Sequence, residues 1–339
     1  MLSSVAERVY WLGRYLERVE NTARLVNVYS SMLLDTPAGS HIGWSILIDI
    51  TGCNEDYEKS GQSLEEKSVV KFLLADGKNS ASVINCVNLM RENARTTREI
   101  IPAEAWEKIN NLHIDLREAI GRTIGRRARQ QILENVISDC QRIFGVLAGC
   151  MNHDTAYAFI QIGRKLERAD MTTRMVDVGS ISLLPAFSSG NSKQRLLLEP
   201  YENVVWMNVL RCLSGYQAYR QKIHSNVKGE DVVRFLLKDN EFPRAIGYCL
   251  QDLVGYLSKL PNNEEVIRAV ARVKKVTHDV DINALLQRGL LDYIDELQIS
   301  IGDIHDELNT TWFRPVELLK VGQQQSQSQS QRSIMPLPS

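Results

Sequence analysis

No stretch of 18 apolar residues runs free of charge in this chain, so no transmembrane helix is expected. An excess of one charge is also missing. Forty basic residues meet 41 acidic ones, and a net charge of −1 offers no global attraction to nucleic acid or to an anionic membrane. None of the six cysteines (Cys53, Cys86, Cys140, Cys150, Cys212, Cys249) forms a C-x-x-C pair, so they read as reduced and mostly buried thiols. There is no P-loop, no G-x-G-x-x-G, no G-x-S-x-G and no H-E-x-x-H, and accordingly no cofactor and no metal is expected. The opening MLSSVAERVYWLGRYLER carries Glu7 and Arg8 where a signal peptide would have its apolar core, so the expected location is cytoplasmic. No alternating run of β-branched residues announces a sheet.

What is present is helical periodicity. With 44% hydrophobic and 24% charged residues, the 339-residue chain can bury a core large enough for two domains or one duplicated one. Val5, Val9, Leu12, Leu16, Val19, Ala23 and Val26 recur at spacings of four and three, one apolar stripe along a helix from Ser4 to about Leu34. Ser4 with Glu7 fits a capping box, and Pro37 and Gly39 lie beyond the expected end. Helices are likewise expected over 80–101, 103–120, 127–150, 263–286 and 288–312. Pro102 breaks the first of these, and Pro243 lies near the start of the corresponding later helix. From Gly322 the tail is rich in Gln and Ser and is expected to be disordered over 322–339.

The chain repeats itself. LGRYLERVENTARLVNV, from Leu12, returns as IGRKLERADMTTRMVDV, from Ile162, a shift of 150. Asp154 stands where Ser4 stood, and Asp is a preferred helix N-cap. Trp44 and Tyr57 match Trp206 and Tyr219 at a shift of 162; Phe72-Leu73-Leu74, Asp76 and Cys86 match Phe235-Leu236-Leu237, Asp239 and Cys249 at 163. Three blocks in one order imply an all-α protein of two tandem, pseudo-symmetric helical-bundle repeats packed together. The repeats span 1–152 and 153–315, with an insertion loop in the second near 180–200.

Within the repeated segment the charged residues hold while the packing residues drift. Gly13, Arg14, Leu16, Glu17, Arg18, Thr22, Arg24, Val26 and Val28 recur unchanged at 163, 164, 166, 167, 168, 172, 174, 176 and 178, and Glu20 becomes Asp170. Leu12, Val19 and Ala23 become Ile162, Ala169 and Thr173. On a helical wheel Gly13, Glu17, Glu20 and Arg24 form a strip beside the apolar stripe, with Arg14, Arg18 and Asn21 farther round. Two accounts fit. In the structural one, Gly13 and Gly163 admit a neighbouring backbone at a cost of roughly 1 kcal/mol each. The long helices then cross near a pseudo-twofold axis. Glu17 pairs with an arginine of the second copy, Glu167 with one of the first, and Glu20–Arg24 and Asp170–Arg174 form i, i+4 pairs. In the other, Glu17 and Glu167 are catalytic candidates with tuned pKa values, and Arg14, Arg18, Arg24, Arg164, Arg168 and Arg174 bind an acidic or carboxylate ligand.

A second binding candidate belongs to the first copy alone. Arg91, Glu92, Asn93 and Arg95, with Arg98, fall on a helix whose counterpart reads Val254, Gly255, Tyr256, Leu257 and Ser258. An ordinary solvated arginine face explains this cluster equally well. The run Arg122, Arg126, Arg127 and Arg129 could touch phosphate or merely mark a helix junction, and His305-Asp306-Glu307 has no metal-ligand spacing.

SVAERVYWLGRYLERVENTARLV, the RENAR helix and MNHDTAYAFIQIGRKLERADMTTRMVDV together resemble the alpha-E family, over about residues 1–315. That is an all-helical domain with a Glu-Arg motif, usually duplicated in tandem; the motif maps onto Glu17-Arg18 and Glu167-Arg168. The resemblance implies a place in a bacterial peptide synthesis or modification system. Its expected partners are a circularly permuted ATP-grasp-type ligase, a transglutaminase-like protein and an NTN-hydrolase-type peptidase, together with a possible peptide ligand. Two functions follow: a non-catalytic binding or scaffolding component of that system, or an enzyme acting on amide or carboxylate groups. In the second, Glu17 or Glu167 is the acid/base, and a pocket joins the Glu-Arg helix to the RENAR helix.

Overall fold

The computed structural model describes residues 1–35, 43–120, 125–181 and 203–314. The expected insertion loop, the Gln/Ser-rich tail and Arg122 lie outside these residues, as do Pro37 and Gly39. The described residues are mainly helical, with no strand among them.

Two long helices form the centre: α1 (Ser3–Asp35) and α8 (Thr155–Ile181). In the first half, short helices α2 (Ser45–Thr51), α3 (Asn54–Ser60) and α4 (Glu66–Ala75) precede α5 (Val83–Thr96), α6 (Ala103–Ile120) and α7 (Arg126–Cys150). In the second, α9 (203–212), α10 (Tyr216–Lys222) and α11 (Gly229–Lys238) precede α12 (Ile246–Leu257), α13 (Glu264–Asp279), α14 (Ile282–Arg288) and α15 (Leu290–Leu308). A single π turn, Asn309–Phe313, follows. Helices α5 and α7 flank α1, with α6 packed on both; α12 and α15 flank α8, with α13 packed on both. The face of each long helix that is left over meets the other long helix.

Local chemistry accounts for most helix ends. Asp154 accepts from the backbone N–H of Ala156 and Tyr157 and starts α8. The Ser4–Glu7 box does not form. Ser4 lies inside α1, and the Leu2 carbonyl already accepts the first N–H groups, from Val5 and Ala6. The helix expected over 80–101 is shorter, because Ser82 caps it at one end through Asn85 and the chain turns at Thr97 before reaching Pro102. The run 263–286 splits in two: after Val280 leaves the helix, the Asp281 carboxylate caps α14. Matched aromatic pairs fix the short helices in each half. Tyr57 meets Phe72 edge-on at 4.8 Å and Tyr219 meets Phe235 edge-on at 5.7 Å.

The core runs without a break across both halves. Val9, Leu12, Leu16, Val19, Ala23 and Val26 of α1 are buried, as are Ile162, Leu166, Ala169 and Val176 of α8. Of the cysteines, Cys150 is exposed and the other five are buried free thiols. No helix of the described residues is long and apolar enough to cross a membrane.

Candidate functional site: two interlocked Glu-Arg clasps

The crossing of α1 and α8 is set by two glycines. A Cβ on Gly13 would stand 2.1 Å from the carbonyl oxygen of Ile160, and one on Gly163 would stand 2.2 Å from that of Tyr10. Each helix thus presents a bare backbone to the other, and the side chains one turn on reach across. Arg14, Glu17 and Asn21 are buried, because α8 covers that side of α1.

Glu17 is fully buried and held by the second half. Arg168 donates to it bidentately, Nε to Oε1 at 2.9 Å and Nη2 to Oε2 at 2.7 Å. Arg164 Nε adds a bond to Oε2 at 2.9 Å and Arg244 Nη1 one to Oε1 at 2.6 Å. Four donors fill the roughly four lone-pair positions of a carboxylate. Glu167 is held reciprocally by the first half. Arg18 donates from Nε and Nη2 to its two oxygens at 2.5 and 2.9 Å, and Arg14 Nε donates to Oε2 at 2.7 Å. Burial alone would raise both carboxyl pKa values. The facing guanidiniums outweigh it: Arg168, Arg244 and Arg164 hold Glu17 well below the usual range, and Arg18 and Arg14 hold Glu167 at about 2. Burial and the nearby Arg168 charge lower Arg164 to about 10.

Around this centre Arg24 pairs with Glu20 at 2.8 Å and Arg174 with Asp170 at 3.0 Å, one turn apart as the spacing predicts. Arg14 also donates Nη1 to the hydroxyl of Tyr10, which sits 2.8 Å from His305 Nδ1 and so ties the clasp to α15. The sequence reading missed Arg244. It precedes α12, is buried, and spans Glu17, Asn21 (2.6 Å) and Glu20 (2.9 Å) at once. Its only signal is a lone arginine between Pro243 and Ala245 at the head of an apolar helix. A second unforeseen contact is the buried Lys165, 2.5 Å from Asp252 and 4.5 Å from the centre of the Tyr248 ring. Burial lowers its pKa.

The RENAR residues do not join this centre. Arg91 bonds Asn110 on α6 at 2.8 Å and lies over Trp106, as does Arg98. Arg95 pairs with Glu92 in solvent, and Asn93 accepts through its backbone from Thr96 and Thr97. Arg91 and Arg98 thus face α6 while Glu92 and Arg95 face solvent, and their bonds are made away from the clasps. Arg126 and Arg129 clamp Glu66. A shallow cleft of about 200 Å³ lies beside them, bordered by Ser30, Arg127 and Gln130. Among the described residues no group of three or more His, Cys, Asp or Glu side chains is placed to hold a metal ion.

Reciprocal Glu-Arg pairing across two crossed helices defines an all-helical protein with its Glu-Arg residues at the internal interface. The chain belongs to the Alpha-E family, described as a predicted alpha-helical domain with a conserved ER motif, whose model matches residues 1–313. It is similar to an uncharacterized protein of Mycobacterium bovis and to one of Mycobacterium tuberculosis. Each is 21% identical over 367 residues, covering 98% of this chain and 39% of the relative. The chain thus spans about two fifths of the length of the curated relatives it matches. No solved structure matches it.

Proposed function

We propose that the protein is a non-catalytic binding or scaffolding component of a peptide synthesis or modification system, working beside an ATP-grasp-type ligase and a transglutaminase-like protein. The observation that carries the non-catalytic half of this reading is the saturation of Glu17. A carboxylate with four donors on it and a pKa held far below neutrality has neither a proton to give nor a lone pair to take one. Glu167, at about 2, is equally unsuited to acid/base work near pH 7. The enzyme alternative assigned its chemistry to these two residues and loses its support with them. The length of the relatives supports the working-beside half: in them the matched region is joined to a further three fifths of chain, as expected of a module that serves a neighbour. The ligase and the transglutaminase-like protein come from the family resemblance.

The test is co-elution of the purified full chain with the ATP-grasp-type protein at micromolar concentration, with and without its nucleotide and peptide substrates. A joint peak on size exclusion is expected. Separate elution under every condition would refute the assignment.

A further inference from the structure

The two halves carry opposite charge where the long helix meets the last helix packed on it. In the second half this junction, between α8 and α15, is acidic. Asp177 stands there, and burial together with the nearby Asp295 raises its pKa to about 6. In the first half Asn27 takes the place of Asp177, at the shift of 150 that relates the clasps. The helix packed beside it, α7, carries Arg126, Arg127 and Arg129 among its first four residues and no acid in its first turn. Its counterpart α15 opens with Asp292, the sign that a helix N-terminus favours. Cations at that end oppose the helix dipole, so α7 itself gains nothing from its arginines.

These arginines border the cleft of about 200 Å³ between α1 and α7. No side chain lining it is acidic or aromatic. Glu66, outside the lining, holds Arg126 and Arg129 and so neutralises one of three positive charges. Donors remain vacant. The side chain of Arg129 is 12% exposed and commits only Nη2, to Glu66 at 2.8 Å and Ser30 at 3.3 Å, which fixes the guanidinium and leaves its other N–H groups unused. Arg127 is exposed, and neither it nor the Asn27 amide has a partner among the described residues. The volume is below the roughly 300–1,000 Å³ that encloses a drug-sized ligand, and it is several times the roughly 30 Å³ share of one water. That is room for one oxyanion and its hydration.

We propose that this cleft binds a phosphate group, free or as an exposed monoester, with Arg129 as its fixed donor and Arg127 and Asn27 as its vacant ones. Guanidinium forks match phosphate oxygens bidentately, and a dianion gains more than a monoanion from several of them at once. With no aromatic wall, the cleft reads the phosphate and leaves the rest of a ligand in solvent. Ser30 lies 13 residues beyond Glu17, about 20 Å along α1, so the site is separate from the clasps and independent of the assembly proposed above.

Calorimetric titration of the full chain at low salt with inorganic phosphate, with N-acetyl-phosphoserine amide and with acetate tests this. Phosphate is expected to bind one to one in the millimolar range, and acetate at least about tenfold more weakly. Equal or tighter binding of the phosphoserine probe assigns the site to a phosphorylated ligand; its exclusion assigns the site to the free ion. Arg127→Ala should weaken phosphate binding about fivefold or more, and Arg127→Glu should abolish it. Arg268→Ala, which removes one exposed charge from α13, should leave it unchanged. No heat of binding at about 10 mM phosphate, equal binding of acetate, undiminished binding by Arg127→Glu, or equal weakening by Arg268→Ala overturns the proposal. Circular dichroism checks that the variants fold; if Arg127→Glu does not, Arg127→Ala decides alone. Phosphate binding without a co-eluting partner refutes the assembly reading only, and co-elution without phosphate binding refutes this site only.

Discussion

Glu17 illustrates why a buried ion pair is better judged by what its removal leaves behind than by what it contributes. Its replacement by a hydrophobic set could be neutral, but removing the carboxylate alone strands Arg168, Arg164 and Arg244 in the core. Glu17→Gln is therefore expected to cost about 3–5 kcal/mol in urea unfolding. Glu167→Gln should cost less, since two arginines depend on it rather than three; equal costs would contradict the asymmetry. The pH dependence follows in sign from the depressed pKa values. Both groups are charged when folded, so their contribution is present in full above the unfolded carboxylate pKa of about 4.3 and is lost as pH falls through the folded value. For Glu167, at about 2, that is about 3 kcal/mol lost between pH 4.5 and 2, measurable as a fall in the urea midpoint that Glu167→Gln makes shallower while Glu17 still contributes over the same window. The clasp glutamates were legible in the sequence because their identities recur while the stripe beside them drifts. Arg244 was not, since a residue present in one copy leaves no recurrence to notice.

At the level of the helix, propensity and packing oppose each other at Gly13 and Gly163. In an isolated helix Gly→Ala gains about 1 kcal/mol. Here the added methyl would overlap a carbonyl oxygen of the opposite helix, and backbone cannot rotate away as a flexible side chain can. Gly13→Ala and Gly163→Ala are thus both expected to destabilise, by about 1–3 kcal/mol or more, with loss of near-ultraviolet circular dichroism if the crossing opens. A gain in stability would show that the helices do not approach so closely. Helix interiors such as Ala103–Ile120 and Arg126–Cys150 could be read from periodicity almost to the residue. Ends were harder. Whether Ser4 or the Leu2 carbonyl begins α1, and whether α5 stops at Thr96 or runs to Pro102, depends on competition between side-chain and backbone acceptors that periodicity does not encode.

Across the whole molecule, each half supplies both sides of the bond: Arg14, Arg18 and Glu17 from one, Arg164, Arg168 and Glu167 from the other. Residues 1–152 expressed alone therefore retain a self-complementary surface. We expect them to form a symmetric dimer in which the Glu17 of one copy meets Arg14 and Arg18 of its mate. Light scattering on a size-exclusion column checks this; a folded monomer at micromolar concentration would contradict it. The RENAR face takes no part in this interface, and a charge-reversed Arg95→Glu should leave the urea midpoint and the dimer peak of the parent in place.

The reach of Arg244 to Glu17 across 227 positions also sets an order of events during synthesis. At about 5–20 residues per second, a ribosome needs roughly 10–45 s to deliver the arginine after the glutamate has emerged. For about the first two thirds of that interval, until Arg164 and Arg168 have been made 147 and 151 positions after Glu17, α1 carries its acid and its row of bases without their cross-helix partners. The nascent first half must wait with its charged seam in water, available to a second nascent copy or to a chaperone, until the later half arrives to claim it.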